Sequence, residues 1–142
     1  MEKTILYLVH DPMCSWCWGF KPTVTKLINE LPDNIRLLKL LGGLARDSDE
    51  KMPEDMQLQI QGNWKRIEET IPGIRFNYHF WKECIPKRST YPACRAVIAA
   101  GLQDDIHKDV MVSAIQNAYY KRAMNPSEIP VLVKIADEIG LD

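Results

Sequence analysis

Thr4-Ile-Leu-Tyr-Leu-Val-His-Asp-Pro-Met-Cys14-Ser-Trp-Cys17 is the stretch that decides the fold of this chain. Thr4–Val9 has the length and the β-branched and aromatic content of a strand, and Pro12 in the turn that follows breaks it. Beyond Cys14, the apolar residues Val24, Leu27, Ile28 and Leu31 recur on one helical face, and Pro32-Asp33-Asn34 closes the segment. The two thiols are therefore expected at a helix N-terminus. Unpaired backbone N–H groups and the positive end of the helix dipole favour a thiolate there over a thiol. Free cysteine titrates near ~8.5, whereas thiols of C-x-x-C motifs at helix starts fall roughly between 3.5 and 7.5. Cys14 is accordingly the expected nucleophile. Cys17, one turn further in, is the expected resolving thiol, which breaks the mixed disulfide by closing the intramolecular bond.

Other readings of the two thiols carry less support. A structural zinc site needs four ligands, and Cys84 and Cys94 do not form a second close pair. His10 with Cys14 and Cys17 makes at most a three-ligand set, so no metal is expected. A disulfide spanning i to i+3 closes too small a loop to constrain the unfolded chain much.

A length of 142 residues with 46% hydrophobic composition suffices for a real core. A net charge of −1 with scattered basic residues predicts neither a nucleic-acid footprint nor an anionic-membrane surface. The apolar run before His10 is shorter than a signal-peptide core, and no stretch approaches a membrane span. The expectation is a cytoplasmic location, where the thiols rest mostly reduced and a reductase or isomerase role is favoured.

Ile35–Leu41 reads as a second, largely buried strand, parallel to the first in a right-handed βαβ unit. After Gly42-Gly43 the pattern turns helical. Met56, Ile60, Trp64 and Ile67 share a face, as do Ala93, Ala96, Val97 and Ala100, then Ile106, Val110, Ala114 and Ala118, and finally Leu132, Ile135, Ala136 and Ile139. Phe76, Tyr78 and Phe80 alternate like a short strand.

Asp11-Pro-Met-Cys-Ser-Trp-Cys-Trp-Gly-Phe20, Gly42-Gly-Leu44, Tyr91-Pro-Ala-Cys-Arg-Ala-Val97 and Ile115-Gln-Asn-Ala-Tyr-Tyr120 resemble the cytoplasmic FrnE-like group of the DsbA-like thioredoxin superfamily. Members of that group are described as candidate protein-disulfide isomerases. The resemblance implies an α/β fold: a thioredoxin-like βαβ start over residues 1–45 and an all-helical inserted domain over residues 46–142. The C-terminal part of the thioredoxin fold, with its cis-proline loop, is expected to be absent. Ile129-Pro130-Val-Leu-Val133 has the proline and β-branched run of such a loop, but the helical spacing that runs on to Ile139 speaks for a helix. By the resemblance Cys14 attacks and Cys17 resolves. The related kappa-class glutathione transferases usually carry serine at the first position, so Cys14 makes them the lesser choice.

Around the dithiol, Trp16, Trp18 and His10 are the candidate substrate-binding residues. Trp16 is expected to be exposed, and Trp18 and Phe20 to lie in the core. An imidazolium at His10 would stabilise the Cys14 thiolate. Cys94 reads as a small buried apolar residue, Cys84 as a surface thiol and Arg95 as a solvated cation. No resident cofactor is expected beyond glutathione as a redox co-substrate. The expected partner is a disulfide-containing protein or a small-molecule thiol, with self-association through an exposed sheet edge. The rivals to the enzyme reading are a non-catalytic binding or assembly module and a glutathione-dependent enzyme of the kappa-like kind.

Overall fold

The computed structural model describes residues 2–142. In chain order the elements are β1 (Thr4–His10), α1 (Ser15–Glu30), β2 (Ile35–Leu41), α2 (Glu54–Thr70), α3 (Phe80–Glu83), α4 (Tyr91–Gln103), α5 (His107–Arg122) and α6 (Ile129–Glu138). β1 and β2 pair in parallel, from Thr4 opposite Ile35 to His10 opposite Leu41, as the βαβ reading requires. They form a sheet of two strands.

That sheet is less covered than the sequence implies. β2 is exposed or half-buried along its whole length, and in β1 Tyr7 and Val9 are 56% and 62% exposed. The run Ile35–Leu41 has the composition of a buried parallel strand, but no residue of it is fully buried, and it meets the helical part through Leu41, which packs against the core, and Lys39, which reaches Asp109. The apolar stripe of α1 is likewise open: Leu27, Ile28 and also Phe20, expected in the core, are exposed. α1 docks instead through Gly19, its one buried residue, which lies so close to α2 that an added Cβ would fall 2.8 Å from Ile71 Cδ1 and 3.0 Å from Ile67 Cγ2. A side chain there would require Ile71 or Ile67 to give way.

The core lies in the helical part, in two clusters that meet at α5. On one side Ala93, Val97 and Ala100 of α4 and Leu132 and Ile135 of α6 pack against Met111, Val112, Ile115 and Ala118. On the other side Trp64 and Ile67 of α2, with Phe76 and Phe80, pack against Tyr119, Tyr120 and Ala123. α5 is thus covered on opposite sides and has no single apolar stripe. Of the face expected along it, Ile106 and Val110 are 68% and 43% exposed, whereas Ala114 and Ala118 turn to the core. Phe76, Tyr78 and Phe80 form no strand; they surround Trp64 as an aromatic cluster, with Phe80 opening α3. Ile129-Pro130 begins α6, with the proline in the first turn where its missing N–H costs nothing. The alanine-rich face of α4 and the Leu132–Ile135 face of α6 are buried as their spacing predicts.

Candidate active site

Pro12 and the turn Asp11–Met13 end the strand and hand the chain to α1 with Cys14 as its N-cap, at φ −83° and ψ 113°. Cys14 Sγ accepts the backbone N–H of Cys17 at 3.4 Å, the position in which a cap side chain satisfies one of the free amides of a first turn. Both cysteines are free thiols and half-buried.

The environment splits the two titrations. Cys14 is drawn down to about 6, first because the Cys17 thiol donates to it and next because the backbone N–H groups of Cys17 and Trp16 do; burial and the Asp11 carboxylate push the other way. Cys17 is pushed far up, chiefly because it donates its proton to Cys14, with burial adding to this. One sulfur is therefore a thiolate at neutral pH and the other a proton-holding thiol. The backbone amides act in the direction read from the sequence, but the neighbouring thiol is the larger influence.

His10 closes β1 three residues before the turn ends. Its pKa lies below the ordinary 6.5 because burial and Lys39 disfavour the cation, and it is absent from the groups acting on Cys14. The imidazolium expected beside the thiolate is thus not present at neutral pH. Trp16 is 39% exposed and lines the same groove as Cys14. Trp18 turns inward and stacks on Tyr120 at 4.9 Å, with its edge to Phe76 at 5.0 Å, so it anchors α1 to the aromatic cluster.

Two grooves flank the dithiol. Cys14 lines one of about 290 Å³, walled by the loop after β2, by α2 and by residues 87–90. Cys17 lines another of about 470 Å³, with His10, Phe20, Lys21, Val24 and Gln116. No cluster of three His, Cys, Asp or Glu side chains suited to a metal occurs among the described residues, so His10 does not join the cysteines as a ligand set.

Sequence reasoning missed Asp11. It is only 4% exposed, has no cation paired with it among the described residues, and accepts from four donors. Oδ1 takes the Met13 N–H at 2.8 Å; Oδ2 takes the Leu44 N–H and the Thr90 hydroxyl, each at 2.8 Å, and the Cys94 thiol at 3.5 Å. The carboxylate therefore ties the thiol-bearing turn to the loop after β2 and to the start of α4. Gly43, at φ +63°, lets that loop pass close under the Tyr91 ring. Cys94, buried as expected, is raised to about 12 by burial and by Asp11. Cys84 is half-buried and donates to the Ala123 carbonyl at 3.2 Å, and its pKa is raised, so it is not a reactive surface thiol. Arg95 is not simply solvated; its two guanidinium nitrogens meet Asp47 at 2.9 Å each.

Asp11→Asn checks this hub. An amide turned either way sets its NH2 against a donor, so the variant is expected to lose about 2 kcal/mol in urea unfolding. Because the Asp11 charge raises Cys14, its removal should move the Cys14 alkylation midpoint to lower pH. An unchanged urea midpoint would show that the four contacts carry no stability.

A thioredoxin family model matches residues 7–142. The ClpXP adapter protein SpxH of Halalkalibacterium halodurans is 26% identical over 143 residues, which is 96% of this chain and 45% of that protein. The chain thus spans about half the length of this curated relative. The crystal structure of a candidate protein disulfide isomerase from Nitrosomonas europaea matches with a TM-score of 0.81 and 28% identity, over 99% of this chain and 66% of that one. The cytosolic disulfide reductase DsbM from Pseudomonas aeruginosa, in its structure with GSH, matches with a TM-score of 0.72 and 26% identity, over 96% of this chain and 65% of that one. The DsbA-like resemblance read from the sequence stands with these matches, and with the βαβ start, the helical remainder and a family match over nearly the whole chain, this protein belongs to the thioredoxin family.

Proposed function

We propose that this chain carries the reactive centre of a thiol–disulfide oxidoreductase, with Cys14 as attacking and Cys17 as resolving sulfur. The observation that carries the reading is the Cys14 sulfur at the N-cap of α1, hydrogen-bonded by the Cys17 amide and lowered to about 6. The Cys14 thiolate attacks one sulfur of a substrate disulfide, forming a mixed disulfide and expelling the other half as a thiolate. Cys17 then gives up its proton to solvent and attacks Cys14 Sγ, expelling the second half. The substrate disulfide gains two electrons and the protein dithiol becomes a disulfide. Run in reverse, the pair donates its disulfide.

Trp16 supplies an exposed apolar wall beside the attacking sulfur, Trp18 acts through the helix it anchors, and neutral His10 lies with Cys17 on the second groove. Glutathione is the proposed small-thiol co-substrate, supported by the DsbM structure with GSH. A cytoplasmic setting, in which the pair rests reduced, is supported by the cytosolic relative. No helix among the described residues is long and apolar enough to cross a membrane. The proposed division into residues 1–45 and 46–142 is supported by the confinement of both buried clusters to the second part. A second reading, a binding module whose dithiol senses redox state, draws support from the adapter protein among the relatives.

Cys17→Ala tests the exchange reading. It removes the largest influence lowering Cys14, so the alkylation midpoint is expected to rise from about 6 by roughly one unit or more. With oxidised glutathione it should accumulate protein bearing one glutathionyl group, detected by intact mass, where the parent passes on to its internal disulfide. A binding module with an idle dithiol would show neither.

A further inference from the structure

The groove beside Cys14 has an uneven chemistry. Its floor is apolar, with Met52, Met56, Ile60, Trp64 and Tyr119, while no aspartate or glutamate lines it. Two cations line it, and they differ. Lys87 is already engaged by Glu128 at 2.9 Å and Asp49 at 3.6 Å. Arg88 is half-buried yet has no hydrogen bond and no carboxylate within 4 Å among the described residues. Two further lining residues carry unpartnered donors: the Trp64 indole N–H is buried without an acceptor, and the half-buried Asn63 amide engages no other residue. A half-buried guanidinium with no carboxylate paired to it, on a groove that no acidic side chain lines, is a site for a planar anion, which it grips through two parallel N–H bonds.

We propose that Arg88 anchors a carboxylate of the incoming molecule and thereby sets the substrate class as small, carboxylate-bearing disulfides and thiols. This rests on the exchange reading above, and adds to it a specificity-determining residue. The anchor holds the ligand in the groove that Cys14 also lines, so it acts on binding and orientation and leaves the thiolate unchanged.

The test compares the reduced parent with Arg88→Gln and Arg88→Lys against disulfides of different charge: dithiodiglycolate, neutral 2-hydroxyethyl disulfide and cationic cystamine. Arg88→Gln is expected to slow the reaction with dithiodiglycolate about tenfold, to leave the neutral disulfide within about twofold, and to keep the Cys14 alkylation midpoint of the parent. Arg88→Lys should retain part of the preference, showing that charge and not folding is at issue. S-methylglutathione, which cannot exchange, should bind the parent and bind Arg88→Gln about tenfold more weakly. Equal loss on all three disulfides, or no loss on the anionic one, would overturn the anchor. So would a loss seen with an acidic peptide disulfide but absent with the small molecules, which would place the carboxylate on a protein partner. If the parent reacts with none of the disulfides yet binds S-methylglutathione through Arg88, the exchange reading falls while the anion site stands.

Discussion

Cys14→Ser is expected to abolish disulfide turnover and to leave, at pH 7, only a slow stoichiometric reaction about a hundredfold below the parent. A pKa near 6 makes Cys14 mostly thiolate at that pH, against a few per cent for an ordinary thiol, a gain of roughly thirtyfold. The lower basicity of the thiolate gives back about tenfold of this through weaker intrinsic nucleophilicity. Charge alone therefore yields only a small factor. The larger part comes from position: Cys14 lines a groove with an exposed tryptophan, and it has a second sulfur one turn away to complete the exchange. In the variant Cys17 is left without a partner, and no internal disulfide can close. Stopped-flow tryptophan fluorescence against 2-hydroxyethyl disulfide measures the loss, and a variant that still turns over would overturn the assignment of the nucleophile.

The same substitution gives a pH-dependent stability difference whose sign is fixed. Cys14 has a folded-state pKa below its unfolded value, so its stabilising contribution is complete above the unfolded value of about 8.5 and disappears as pH falls through about 6. The reduced parent should therefore exceed Cys14→Ser in urea stability most clearly near pH 8, before the unfolded Cys17 thiol, which the folded parent holds protonated, begins to ionise, and the two should converge below pH 6.

Trp64→Ala is expected to be the most damaging single change to stability, at about 3–5 kcal/mol, enough to lower the thermal midpoint by about 10 °C or more. Trp64 is fully buried and has ring neighbours at 4.6 Å (Phe76), 5.1 Å (Trp81), 5.5 Å (Tyr78), 5.7 Å (Tyr119 and Tyr120) and 6.1 Å (Phe80). No other side chain can reach all six, so the cavity left by alanine cannot collapse without moving α2, α3 and α5 together. Because Trp18 stacks on Tyr120, the disturbance passes to the start of α1 and the dithiol. Trp16→Ala, at an exposed position, serves as the comparison and should change stability by about 0.5 kcal/mol or less. Equal effects of the two would mean that the aromatic cluster is not a core.

What the sequence disclosed followed from local geometry. The strand, the proline turn and the thiols lie within fourteen consecutive residues, and chain neighbours alone fix the helix start that places Cys14 as a cap. The stripes of α2, α4 and α6 were legible because each of these helices buries one face. α5 was legible only in part, since it is covered from two sides and the expected spacing runs from the exposed Ile106 and Val110 to the buried Ala118. Asp11 escaped notice because its partners other than Met13 lie 33, 79 and 83 residues away, at positions whose side chains advertise nothing. β2 was misjudged for a different reason: composition reports what a strand can bury, and a covering layer decides what it does bury.

The placing of the two clusters also has a kinetic corollary. Amides of α5 lie where opening requires the whole helical part to come apart, whereas those of β1 and β2 sit on a ribbon with little packed over it. Deuterium should therefore enter the ribbon well before it enters α5. The dithiol stands on the boundary between these two regimes, so brief fraying of the ribbon would loosen one side of the reactive turn while Asp11 still moors the other to α4.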